Sequence, residues 1–157
     1  SYNAFTPLQL ANYVATLVSG GEHYAAHLLK SVKSYDNSRL IYNYDEKPLN
    51  NMNISDSTMA AVTKGMHDLT HDSLTSAFSR CMVEAGAKTG SAQVGTDIAN
   101  GVFVAYAPYD DPEIAVAIVV EKGGSGSLLA NAAVDIINAW FSRGSSSVTT
   151  GENTLLQ

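Results

Sequence analysis

Residues 86–121 hold three strand-length runs in immediate succession, and a chain with that order has few folds open to it. The first, Gly86-Ala87-Lys88-Thr89-Gly90-Ser91-Ala92-Gln93-Val94-Gly95, alternates small and polar residues between glycines. Residues 96–100 read as a turn into Gly101-Val102-Phe103-Val104-Ala105-Tyr106-Ala107, and Tyr109-Asp110-Asp111-Pro112 closes a hairpin with residues 113–121. Connections this short join antiparallel neighbours, so the three runs should form a meander. Leu128, Leu129, Ala132, Ala133, Ile136, Ile137, Trp140 and Phe141 then recur about every four residues. A helix with that stripe is expected to cover the sheet, lying on the small side chains of Ala105, Ala107, Ala115 and Ala117.

The chemistry concentrates in the first run. In an extended chain, side chains two apart share a face, so Lys88 points with Gly90 and Ala92 while Thr89 points with Ser91 and Gln93. One face carries an ammonium and the other carries hydroxyls. A glycine inside a strand weakens it and is kept where a ligand or another backbone comes close. Gly90 therefore suits a peptide or acyl group laid along the strand.

Upstream, Thr6-Pro7-Leu8-Gln9 combines an N-cap, a proline at the first helical position and a capping-box glutamine, with Phe5 and Leu10 spaced as a hydrophobic staple. The helix should run through Val14, Leu17 and Val18 and stop at Gly20-Gly21, with Ala11 and Ala15 allowing close packing. Residues 22–54 read as an excursion of weak strands, at 28–32 and 40–44 around an Asp36-Asn37 turn. Ser55 can cap a second helix through Met59, Val62, Met66 and Leu69, the two methionines serving as core.

Near the end of that helix, His67-Asp68-Leu69-Thr70-His71 approaches the zinc-protease pattern His-Glu-x-x-His. Asp68 is shorter than the glutamate of the pattern and no third ligand is evident nearby, so the pair reads as solvent-facing. His23 and His27, equally spaced, read the same way. Gly123-Gly124-Ser125-Gly126-Ser127 lacks the Gly-Lys-Ser/Thr ending of a phosphate loop and reads as a strand-to-helix turn.

At 157 residues and 45% hydrophobic the chain can bury one core. Its net charge of -6 leaves no basic stripe, which argues against nucleic acid as a partner. No apolar run approaches the ~20 residues of a membrane span, and the N-terminus has no signal-peptide pattern, so this stretch is expected to be soluble. Cys81 is the only cysteine, which excludes an internal disulfide and reads as a small core residue. Residues 143–157 have the composition of a polar tail, leaving 1–142 as the folded unit.

Lys88-Thr89-Gly90 matches one of three elements shared by penicillin-binding proteins and class A β-lactamases, the others being Ser-x-x-Lys and a Ser-x-Asn type motif. The longer run Lys88-Thr89-Gly90-Ser91-Ala92-Gln93 resembles the Lys-Thr-Gly-Thr-Ala-Gln of class B penicillin-binding protein transpeptidase domains. Phe5-Thr6-Pro7-Leu8-Gln9-Leu10-Ala11 with Gly20-Gly21 is similar to that family's Thr-Pro-Leu-Gln helix. Phe103 to Pro108 and Pro112 to Ala117 are similar to its last two strands. The resemblance covers about residues 1–142.

It implies an α/β fold of α+β type, the C-terminal half of a transpeptidase-like domain with an antiparallel meander and packed helices. It implies a serine D,D-transpeptidase that cross-links peptidoglycan stem peptides through an acyl-enzyme, binds β-lactams, and uses no metal or cofactor. Lys88 would supply positive potential for proton relay, and Thr89, Gly90, Ser91 and Gln93 would line the substrate strand. Thr89 and Ser91 would bond a substrate carboxylate, and the Ser91 backbone N–H would complete the oxyanion hole. Serine at 91 replaces the family's threonine, keeping the hydroxyl and losing the methyl that stiffens χ1.

The six lysines Lys30, Lys33, Lys47, Lys64, Lys88 and Lys122 are preceded three residues earlier by His27, Lys30, Tyr44, Ala61, Ala85 and Val119. None of these is serine, so the nucleophile of Ser-x-x-Lys is expected outside this chain. Ser1-Tyr2-Asn3 has the Ser-x-Asn form but sits directly before the Thr-Pro-Leu-Gln helix, and reads as coincidence. The isolated chain should be inactive and should need the missing half of its domain or self-association to cover its apolar surface. The parent protein is expected to be membrane-anchored with its catalytic domain outside the cytoplasm. A non-catalytic scaffold of the same fold, or a β-lactam sensor or β-lactamase relative, are the alternatives.

Overall fold

Thr6 starts the first helix as its sequence requires. In the computed structural model, which describes residues 4–94 and 98–143, the Thr6 hydroxyl accepts from Gln9 N–H at 3.2 Å, and the Gln9 side chain accepts from Thr6 N–H at 2.8 Å. Helix α1 (Pro7–Val18) ends where Gly20 and Gly21 adopt φ of 74° and 88°, a left-handed conformation that side chains resist. Phe5 and Leu10 both border one surface groove, with Phe5 well exposed.

The excursion is a set of two-stranded ribbons. Strands β1 (Glu22–His23) and β4 (Asn50–Asn51) pair with each other, and β2 (Ser31–Lys33) pairs with β3 (Leu40–Asn43). The β2–β3 turn falls where Asp36-Asn37 predicts it, with Asn37 at φ 58°. The shorter β1–β4 pair has no sequence signal, because two residues show no periodicity.

Ser55 caps α2 (Asp56–His71) through Thr58 N–H, and a short α3 (Thr75–Phe78) leads toward the sheet. Met66 is buried, Met59 is half-buried and Val62 is exposed, so only the second half of α2 packs as core. Strands β5 (Gly86–Gln93), β6 (Ala99–Ala107) and β7 (Ile114–Val120) form the expected antiparallel meander in the order β5-β6-β7. A 3-10 turn at Gly126–Leu129 then enters α4 (Ala130–Ser142).

Helices cover both faces of this sheet, which corrects the expectation that the final helix takes all the small residues. The register sets Ala105 opposite Val116 and Tyr106 opposite Ala115, so the two alanine pairs point to opposite sides. Ala105 and Ala107 lie in the cluster with Ala133, Val134 and Ile137 of α4. Ala115 lies with Tyr106, Val14 of α1 and Met66 of α2. Burying a side chain the size of Phe103 or Ile137 contributes about 1.5–3 kcal/mol, and both are fully buried.

The inward stripe of α4 is Ala130, Ala133, Val134 and Ile137, while Leu128, Ala132 and Ile136 are exposed. Arg80 ties this helix to the chain entering β5, donating to Asp135 Oδ1 at 2.7 Å and to Asn131 O at 2.9 Å. Among the described residues no helix is long and apolar enough to cross a membrane. The Ser1-Tyr2-Asn3 motif, the centre of the β5–β6 turn and residues 144–157 of the tail lie outside the described residues.

Candidate active site

The sequence-predicted residues Lys88, Thr89, Gly90, Ser91 and Gln93 all fall on β5, which pairs with β6 on one side only and is an edge of its sheet. An edge strand offers unused backbone donors and acceptors to any extended chain laid beside it. The alternation reads as the sequence implies. Lys88 is opposite Val104, which packs on the cluster of Val14, Met66 and Tyr106, so the ammonium belongs to the α1 and α2 side of the sheet. Thr89 is opposite the buried Phe103 and belongs to the α4 side.

Lys88 is exposed, and its Nζ donates to the Thr89 carbonyl at 2.8 Å. That bond to its own neighbour leaves the ammonium able to turn to an incoming anion. The Thr89 and Ser91 side chains make no hydrogen bond to another described residue. These hydroxyls and the ammonium stand within one turn of extended chain, a set of donors suited to a carboxylate.

Space does not demand the glycine at 90, where a Cβ would meet only Val102 at 3.5 Å, an ordinary contact; the tight approach is made by Gly126. A Cβ on Gly126 would collide with the carbonyls of Val102 and Gly90, and would stand 2.9 Å from Gly90 N. The turn before α4 thus rests directly on β5 and β6. At the start of the strand, a Cβ on Gly86 would sit 2.7 Å from Tyr106 Cζ, so the Tyr106 ring fills the space of the missing side chain. The Tyr106 hydroxyl is buried without a hydrogen-bond partner among the described residues, and burial pushes its pKa up to about 12.

A second cluster was not legible in sequence. His67 and His71 share a face of α2, and Glu84, just before β5, brings its Oε2 to 2.5 Å from His67 Nε2 and 3.5 Å from His71 Nε2. The two histidines are therefore not a plain solvent-facing pair: His67 is only 22% exposed. Hydrogen bonding from His67 holds the Glu84 carboxyl below its ordinary value. By contrast, His23 sits on β1 against Asn12 and His27 stacks on Tyr44 at 3.5 Å, so those two do not form a pair.

The family model for the penicillin binding protein transpeptidase domain matches residues 3–138. The chain belongs to the penicillin-binding protein transpeptidase family. It is 34% identical to penicillin-binding protein 2B of Streptococcus pneumoniae, over 88% of this chain and 23% of that protein. It is 32% identical to the peptidoglycan D,D-transpeptidase PbpA of Mycolicibacterium smegmatis, over 77% of this chain and 25% of that protein. The chain thus spans about a quarter of the length of these relatives. Its fold superposes on penicillin-binding protein A of M. tuberculosis, solved as an imipenem acyl-enzyme complex, with a TM-score of 0.79 and 28% identity over 90% of this chain and 32% of that one. As a penicillin-binding protein sequence, the chain carries its Lys-Thr-Gly element on a sheet edge between two helical layers.

Proposed function

We propose that this chain forms one wall of the acyl-transfer site of a peptidoglycan D,D-transpeptidase, with β5 as the strand along which the stem peptide or a β-lactam is laid. The observation that carries this reading is that Lys88, Thr89 and Ser91 stand within four successive residues of an edge strand, Lys88 and Ser91 exposed and Thr89 half-buried, in a chain whose relatives include named D,D-transpeptidases. Acyl transfer needs an activated nucleophile and donors aimed at the developing oxyanion. Lys88 supplies positive potential for the proton relay and for the substrate carboxylate. Thr89 and Ser91 bond that carboxylate through their hydroxyls, Gly90 and Gln93 complete the strand, and the Ser91 N–H serves the oxyanion. None of these roles uses a metal or cofactor.

The attacking serine belongs to polypeptide other than this chain, because no lysine here follows a serine at the required spacing. The same absence favours a second reading, a scaffold that keeps the fold without the chemistry. A fluorescent penicillin separates them. In the complete protein that carries this chain, covalent labelling supports the transpeptidase reading, and no labelling under conditions where the protein is folded supports the scaffold. In the parent, residues 1–142 complete the catalytic domain and 143–157 extend from it. The parent is anchored in the cell membrane with this domain on the outer side, where stem peptides are cross-linked.

A further inference from the structure

We infer that His67, His71 and Glu84 form a binding site for a divalent transition-metal ion, with zinc the best match. The two histidines are four apart on α2 and so lie one above the other on the same face. Their rings are 4.1 Å apart, and both Nε2 atoms approach the same carboxylate oxygen of Glu84. One donor atom from each residue falls within 4.8 Å of the others. Donors of a tetrahedral zinc with bonds of ~2.0 Å stand about 3.3 Å apart. The His71–Glu84 separation of 3.5 Å already has that size, and the His67–Glu84 separation of 2.5 Å has to open by less than about 1 Å. Glu84, whose side chain is 63% exposed, has room to make that adjustment.

The surroundings prepare the ligands. His71 Nδ1 is 3.1 Å from both the His67 carbonyl and the Thr70 hydroxyl, and the tautomer that donates from Nδ1 to that carbonyl leaves the Nε2 lone pair for an ion held between the ring and Glu84. A backbone carbonyl on the distal ring nitrogen is the partner that orients metal-binding histidines elsewhere. His67 Nε2–H donates to Glu84 at 2.5 Å; on metal binding the Nε2 proton leaves to solvent from the doubly protonated ring, or is exchanged onto Nδ1 in the neutral ring, and the freed Nε2 lone pair forms the bond to the ion.

Both sides of the cluster stand on fixed chain. The Glu84 carbonyl accepts from Tyr109 N–H at 2.8 Å, and the Thr70 hydroxyl reaches the Ala85 carbonyl at 3.0 Å. The Tyr109 ring backs His67 at 4.2 Å. Two imidazole nitrogens with one carboxylate suit zinc and its neighbours, whereas magnesium and calcium take oxygen ligands. His71 and Glu84 also wall a cleft of about 370 Å³, so a fourth position is open to water. The bound ion would clamp the last turn of α2 to the chain entering β5, bracing the strand that carries Lys88. This inference does not depend on the transpeptidase reading.

The test is zinc titration of the complete protein that carries this chain, by calorimetry, alongside His71→Gln and Glu84→Gln, with cobalt as a spectroscopic substitute. The expected result is one more zinc bound per molecule in the wild type than in the variants, or an affinity lowered at least about tenfold in each. Cobalt in the wild type should show the intense visible bands of a four- or five-coordinate centre, which the variants lose. His71 is half-exposed and its loss should leave the far-ultraviolet circular dichroism unchanged, so a weakened site is not mistaken for unfolding. Equal zinc binding by wild type and both variants, or no zinc bound by the wild type, overturns the inference.

Discussion

Asp36 shows how much one exposed carboxylate can organise. It accepts from the Ser34 hydroxyl at 2.6 Å, the Ser38 hydroxyl at 2.7 Å and the Ser38 N–H at 3.2 Å, and these bonds hold its pKa at about 2. A folded value below the unfolded one of ~3.9 means that the ionised form stabilises the β2–β3 turn above about pH 4. That contribution fades as the pH falls through 2. An NMR titration of the Asp36 carboxyl should give a midpoint near 2, and a midpoint near that of a free aspartate would refute the hydrogen-bonded turn. Ser91 yields a different prediction. Ser91→Ala keeps the backbone N–H assigned to the oxyanion and removes only the hydroxyl assigned to the carboxylate, a bond worth about 1.5–3 kcal/mol. In the complete protein, the penicillin concentration for half-maximal acylation should rise roughly tenfold or more while the limiting rate changes little; a collapse of the limiting rate alone would contradict that division of roles. The candidate residues of β5 were legible because they are contiguous and alternate. Glu84 was not, since it lies 13 residues beyond His71 and only the α3 turn brings it back.

At the scale of elements, the contact between the Gly126–Leu129 turn and β5 carries the most weight for the site. Gly126→Ala would push a methyl into the Gly90 and Val102 carbonyls, and backbone cannot move aside as a side chain can. Overpacking of this kind costs about 1–3 kcal/mol, so the thermal midpoint of the complete protein should fall and acylation should slow with it. An unchanged midpoint would mean that the turn does not rest on the strand. Helix α1 was readable to its first residue because Thr6, Pro7 and Gln9 each have a stereochemical duty at a helix start. The face of α4 was misread for a definite reason. Its apolar residues come in adjacent pairs, 128 and 129, 132 and 133, 136 and 137, and sequence alone does not say which of each pair turns inward. The packing on Ala105 and Ala107 decides it, and that packing depends on strand register.

Among the described residues, the main sheet has helices on both faces, β5 and β7 as its edges, and an uncovered flank. Phe5, Leu8 and Tyr13 on or beside α1 are more than half exposed, and Phe5, Leu10, Tyr13 and Met52 border an apolar groove of about 450 Å³. Surface of this kind invites association. The isolated chain should therefore self-associate in light scattering, and a monodisperse monomer at dilute concentration would argue that the flank needs no cover. The family fold was legible from short runs spread along the chain, because each is fixed by local stereochemistry. The two-faced packing was not, since it follows from which neighbour each strand meets. The most direct test of the central claim is mass-spectrometric mapping of the penicilloyl adduct on the complete protein, with and without Lys88→Ala. The expected result is an adduct on a serine outside these 157 residues, formed at least about a hundredfold more slowly in the variant; an adduct within this chain, or labelling of Lys88→Ala at the wild-type rate, would contradict it.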